Sequence, residues 1–99
     1  MSKINVLIAG STGYIGIQLI KLLIKHKKIN IKYLCGNNSV GKDISLYDKS
    51  LKKKNLPKII KFKDFLLKDI EIIFTALPNG EAQLISKKLL KKNILIDLA

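Results

Sequence analysis

Apolar runs and amphipathic stretches alternate along this chain, and their periods predict its elements. Ile4–Ala9 is apolar at nearly every position, the pattern of a strand covered on both faces of a parallel sheet. From Tyr14 to about Lys27 the period lengthens. Gln18, Lys21, Lys25 and Lys28 form a polar stripe at three- and four-residue steps, opposite Ile15, Leu19, Ile20, Leu22 and Leu23. This predicts a helix, with His26, Lys27 and Lys28 at the end where cations suit its dipole. Ile29–Cys35 predicts a second strand with Ile29, Ile31, Tyr33 and Cys35 at alternate positions, closed by the turn signal Gly36-Asn37-Asn38-Ser39. Ser39 to Pro57 has little periodicity and predicts a loop, with one helical turn near Leu46–Leu51. Lys58–Phe62 predicts a short edge strand. Asp64 is placed to cap a short helix through Leu67. Ile70–Ala76 predicts a strand, ended by Leu77-Pro78-Asn79-Gly80. Glu81 to Lys92 predicts a helix with Ala82, Ile85 and Leu89 inward. Asn93 stops it, and Ile94–Leu98 is the last strand. Strands alternating with helices predict an α/β fold, with a parallel sheet of order 3-2-1-4-5, helices on both faces and right-handed crossovers. Residues 1–99 form one domain in this reading, and its sheet is expected to be incomplete at the C-terminus.

The candidate chemistry lies between the first strand and the first helix. Gly10-Ser11-Thr12-Gly13-Tyr14-Ile15-Gly16 has the strand–glycine loop–helix setting of a Rossmann-type domain, with one residue more between its first two glycines than G-x-G-x-x-G. Such a turn aims backbone N–H groups at a pyrophosphate, where the helix dipole favours negative charge. In the expected strand order the first and fourth strands flank the switch point, and ligands bind beyond their carboxyl ends. The glycine loop is therefore expected to hold pyrophosphate, with Ala76, Leu77 and Pro78 near the nicotinamide or its ribose. An acid at the end of the second strand would take the ribose hydroxyls of NAD. This chain has Asn37, Asn38 and Ser39 there, with Lys42 nearby, a set that favours a 2′-phosphate and hence NADP. Cys35 has no base beside it in sequence and reads as packing, and His26 reads as a surface residue. There is no metal-ligand spacing and no nucleophile elbow.

Charge changes this picture little. The net charge is +12 at pH 7, which raises the question of nucleic acid. All 19 basic residues are lysine, however, and arginine is the side chain that forks onto guanine and phosphate. A solvated basic surface, Lys52-Lys53-Lys54 included, accounts for the charge, and nucleic acid is not expected as a partner. No apolar run reaches the length of a membrane span. Met1-Ser2-Lys3 leads straight into a strand without a signal peptide, and a single cysteine permits no internal disulfide. Both point to the cytoplasm.

Four segments in order resemble the cofactor domain of the N-acetyl-gamma-glutamyl-phosphate reductase family. They are Gly10 to Gly16, Ser39-Val40-Gly41-Lys42, Ala76-Leu77-Pro78-Asn79-Gly80 and Ile96-Asp97-Leu98-Ala99. Aspartate-semialdehyde dehydrogenase is the sibling family. Tyr14 after the second glycine and Asp97-Leu98-Ala99 favour the glutamyl-phosphate enzyme. The resemblance covers essentially the whole chain. It implies NADPH-dependent reduction of an acyl phosphate to a semialdehyde in arginine biosynthesis, through a cysteine nucleophile and a histidine. In family members both lie beyond the point matching Ala99, and Cys35 matches neither. Asn37 stands where many members carry arginine. The chain is accordingly expected to be an amino-terminal fragment, inactive alone, of a homo-oligomeric enzyme. A fragment of the sibling aspartate-semialdehyde dehydrogenase and a non-catalytic dinucleotide-binding module are the alternative readings.

Overall fold

Strand β1 (Ile4–Ala9) is the middle of the sheet, and Val6 to Ala9 are buried on it. The computed structural model describes residues 3–78 and 80–98. Met1, Ser2, and the motif members Asn79 and Ala99 lie outside the described residues. Strand β1 pairs in parallel with β2 (Ile29–Cys35) on one side and β4 (Ile72–Thr75) on the other. Beyond these lie β3 (Ile59–Ile60) and β5 (Ile94–Asp97), also parallel, in the expected order β3-β2-β1-β4-β5.

Helix α1 (Tyr14–Leu23) buries Gly16, Ile17, Ile20 and Leu23 against Val6, Ile8, Ile31, Leu34 and Ile59 on one face of the sheet. A 3₁₀ segment (Asp64–Asp69) and helix α2 (Glu81–Ser86) cover the opposite face. There Leu66, Leu67 and Ile85 meet Leu7, Ala9, Cys35 and Ile73. Both faces are thus covered, which is why β1 is apolar at every position from Val6 to Ala9 rather than alternating.

Strand β2 departs from simple alternation. Val6 pairs with Ile31 but Leu7 pairs with Tyr33, so Lys32 is an extra residue, a bulge. Ile29 and Ile31 therefore pack on the α1 face while Tyr33 and Cys35 pack on the other. A one-residue insertion switches the face of every later side chain, and the four alternate positions do not share one side.

Both α-helices are shorter than their apolar stripes. Helix α1 stops at Leu23 instead of about Lys27. Lys25 and His26 donate to the carbonyls of Leu22 and Leu23, three residues back, and tighten the chain toward β2. His26 holds this turn, its Nδ1 accepting from the Lys28 amide at 3.2 Å. Helix α2 stops at Ser86 instead of Lys92. Asn93 is the cause: its Nδ2 donates to the carbonyls of Leu67 (3.2 Å) and Ile70 (2.7 Å), and its Oδ1 accepts from the Leu90 amide (2.8 Å). Asp64 does not cap its turn. Lys63 occupies the cap position, and the Asp64 carboxylate faces Lys88 at 3.3 Å.

The segment after β2 carries more structure than one turn. It forms two 3₁₀ turns, Ile44–Leu46 and Lys49–Leu51, each capped by an aspartate that accepts from a serine amide two residues on: Asp43 from Ser45 (3.0 Å), Asp48 from Ser50 (2.9 Å). The caps turn Ile44 and Leu51 inward, both completely covered in the α1-side core. Asp48 also meets Lys21 of α1 at 2.7 Å. This ammonium, with help from Ser50, holds the Asp48 carboxyl down at about 2. A depressed carboxyl stabilises the fold above the ordinary carboxylate range, and the contribution is lost as pH falls through the folded value. Asp48→Asn is therefore expected to lower the melting temperature slightly at pH 6. The difference from wild type should vanish in melts taken between about pH 4 and 2. A difference that persists unchanged at the acid end would show that the ion pair is not its source.

Candidate functional site

The loop after β1 is built around Gly10. Its φ is +81°, and a Cβ there would lie 2.4 Å from the Ala76 carbonyl oxygen. Only glycine accommodates both the conformation and the closeness. The loop is pinned to the end of β2. The amides of Gly10 (3.1 Å) and Ser11 (3.2 Å) and the Ser11 hydroxyl (3.0 Å) all donate to the Cys35 carbonyl. Gly13 then opens α1 in an extended conformation (φ −74°, ψ 168°), and Ile17 donates back to it at 2.9 Å. Tyr14, Ile15 and Gly16 begin the helix with no carbonyl one turn back to donate to. No acidic residue stands in this first turn. The result is a positive helix end with available amides at the switch point of the sheet.

An open cleft of about 350 Å³ lies at that point. It brings together three of the expected segments: Gly10, Thr12 and Gly13; Asn37, Asn38 and Ser39; and Ala76, Leu77 and Pro78. The other candidates stand outside the lining. Ser11 is completely buried and acts as the tether described above. Tyr14 and Ile15 expose their side chains to solvent, outside the cleft. Gly16 is buried beneath it, where a Cβ would meet the Gly10 carbonyl oxygen at 2.2 Å; its role is close packing of helix on strand. Gly13 differs. A Cβ there finds its nearest neighbour at 3.7 Å, an ordinary contact, so the fold alone does not require glycine at this position. A missing side chain at the mouth of a cleft, with no internal reason for it, fits a ligand that approaches the backbone.

Sequence reasoning missed two side chains here. Tyr47 lines the cleft from the first 3₁₀ turn, held between the buried Ile44 and the Asp48–Lys21 pair. Glu81 lines it from the start of α2. Neither sits in a motif, and only the aspartate caps after β2 signal that the Tyr47 segment is ordered. Cys35 lies under the site but is not poised to react, because burial pushes its thiol up to about 12. Among the described residues no group of three His, Cys, Asp or Glu side chains could hold a metal ion. No helix among them is long and apolar enough to cross a membrane.

The family described as "Semialdehyde dehydrogenase, NAD binding domain" matches residues 5–99. The chain belongs to this family. Membership makes this semialdehyde dehydrogenase NAD-binding domain one that binds a nicotinamide dinucleotide. The resemblance drawn from the four segments is also borne out. The domain is 35% identical over 99 residues to N-acetyl-gamma-glutamyl-phosphate reductase of Ehrlichia ruminantium (strain Gardel), covering 98% of this chain and 28% of that one. It is 40% identical over 96 residues to the reductase of that name from Brachyspira hyodysenteriae, covering 96% and 27%. To that of Thermoanaerobacter pseudethanolicus it is 40% identical over 98 residues, covering 96% and 28%. The domain thus spans under a third of the length of these curated relatives. In three dimensions it is similar to aspartate semialdehyde dehydrogenase with NADP from Candida albicans, at a TM-score of 0.74 and 23% identity over 99% of this chain and 30% of that one. That likeness bears on the fold.

Proposed function

We propose that this chain is the NADP-binding domain, over residues 1–99, of a cytoplasmic, homo-oligomeric N-acetyl-gamma-glutamyl-phosphate reductase. The observation that carries NADP is the polar wall of the cleft. At the end of β2, where NAD-binding domains carry a carboxylate, this chain presents Asn37, Asn38 and Ser39. Their amide N–H and hydroxyl groups can donate to a 2′-phosphate without charge repulsion. The loop Gly10 to Gly16 would hold the pyrophosphate, with the amides of Thr12, Tyr14, Ile15 and Gly16 available to it, the Gly13 amide donating within the loop to the Gly10 carbonyl, and the Ser11 hydroxyl fixing the loop. Ala76, Leu77 and Pro78 close the opposite side. When bound, NADPH supplies the hydride that reduces an acyl phosphate to a semialdehyde. The residues of this chain bind and orient the dinucleotide, and none is assigned a catalytic role.

Calorimetric titration with NADPH and NADH tests the reading. NADPH is expected to bind at least about 10-fold tighter, the size of a bidentate or charge-assisted contact to one phosphate. Asn38→Asp, which sets a carboxylate against that phosphate, is expected to narrow or reverse the ratio. Tighter binding of NADH by the unaltered chain would discard the NADP assignment while keeping the dinucleotide site.

A further inference from the structure

A second, more apolar pocket of about 170 Å³ opens beside the cleft and shares Gly10, Gly36, Asn37, Leu77 and Glu81 with it. Phe62, from the segment after β3, and Leu84 and Ile85, from α2, form its walls with Leu77. It lies on the face of the sheet away from α1, next to the end of β2. A dinucleotide laid across the switch point has its adenosine half on the β2 side. Asn37 lines both cavities, so for a ribose at Asn37 this pocket is the adjoining space for its base. A purine has apolar faces and a polar edge, and the lining matches that division. Four apolar side chains flank it, and Glu81 is the one charged side chain in its lining.

We propose that Glu81 reads the base: its carboxylate accepts a hydrogen bond from the exocyclic amino group of adenine. The proposal rests on the dinucleotide reading above. An ionised carboxylate only accepts hydrogen bonds, so it pairs with an amino group and repels a carbonyl oxygen. Its placement is set by the backbone. Gly80 takes a φ of +87° before α2, and the Glu81 amide donates to the Pro78 carbonyl at 3.2 Å. A carboxylate at the rim of a phosphate cleft weakens attraction for an anion, and a ligand donor beside it turns that cost into selectivity. Sites that hydrogen-bond a ligand group reject analogues lacking it strongly, because the protein's own polar group is left unpaired.

The test compares NADPH with its hypoxanthine analogue, in which a carbonyl replaces the amino group, by fluorescence titration of the protein and of Glu81→Gln. The unaltered protein is expected to bind the analogue at least about 10-fold more weakly than NADPH. Glutamine presents either an N–H or a carbonyl oxygen, so Glu81→Gln is expected to bring the two affinities within about 3-fold of each other. Thermal melts of both proteins serve as the folding control, and the half-exposed substitution is expected to leave the midpoint unchanged. Equal binding of both dinucleotides by the unaltered protein overturns the proposal. So does a ratio that Glu81→Gln leaves unchanged, the result expected if Glu81 serves only the dipole of α2. Failure to bind either dinucleotide overturns the dinucleotide reading itself.

Discussion

Gly16→Ala is expected to cost the domain its stable fold, with a melting temperature at least about 10 °C below wild type or no cooperative transition at all. The added methyl would sit 2.2 Å from the Gly10 carbonyl oxygen and 3.0 Å from two Ser11 backbone atoms. None of these is the free end of a flexible side chain. The Gly10 and Ser11 amides are bonded to the Cys35 carbonyl, and Gly10 abuts the Ala76 backbone, so the loop has nowhere to retreat. The other escape is for α1 to lift, which would uncover Ile17, Ile20 and Leu23. Overpacking typically costs about 1–3 kcal/mol, and this contact belongs at or above the upper end. In a domain of this size each kcal/mol moves the midpoint by roughly 4–8 °C. Circular-dichroism melts check it, with Gly13→Ala as the matched control, expected to lose under about 1 kcal/mol. If Gly16→Ala melts with the control, the close approach of helix to loop is not what stabilises this corner.

Gly13→Trp is expected to do the reverse: keep the fold and abolish dinucleotide binding, by at least about 100-fold in Kd. The position has ordinary φ and ψ, is exposed, and offers a new Cβ no contact closer than 3.7 Å. A large side chain there harms nothing inside the protein. It does project into the cleft where the first turn of α1 presents its amides, and a ligand held by backbone N–H groups at about 2.9 Å cannot share that space with an indole. Calorimetry with NADPH on a variant shown to be folded decides the matter. Undiminished affinity would remove the glycine loop from the binding site and with it the account of why Gly13 lacks a side chain. Two glycines three residues apart are thus expected to fail in opposite ways, one in folding and one in binding.

Most of the sheet was legible because its strands are short apolar runs or alternate apolar with polar residues, signals that need no knowledge of partners. Ile4–Ala9 and Ile29–Cys35 come out with the predicted bounds, and the strand order follows from the alternation with helices. What escaped depends on contacts distant in sequence. The bulge at Lys32 is defined only against Val6 and Leu7. The early end of α2 comes from Asn93 reaching the carbonyls of Leu67 and Ile70, while local periodicity continued through Leu89. Ile44 and Leu51 look isolated in sequence and become core only because Asp43 and Asp48 cap the turns that carry them. The site divides in the same way. The glycine loop and the Asn37–Ser39 turn announce themselves by residue type. Tyr47, Phe62 and Glu81 reach the cleft and the neighbouring pocket only through the packing of three separate segments, and no local spacing marks them.

The Cys35 carbonyl accepts from two amides and a hydroxyl at the root of the glycine loop. It makes one mechanical joint of two walls of the same cleft. The loop and the turn proposed above to take the pyrophosphate and the adenosine ribose leave adjacent strands, yet they cannot splay apart without breaking three hydrogen bonds at once. The spacing between the two halves of the cleft is therefore set when the domain folds. A dinucleotide arriving there meets a gauge of fixed width, and little of its binding energy goes into drawing the two walls together.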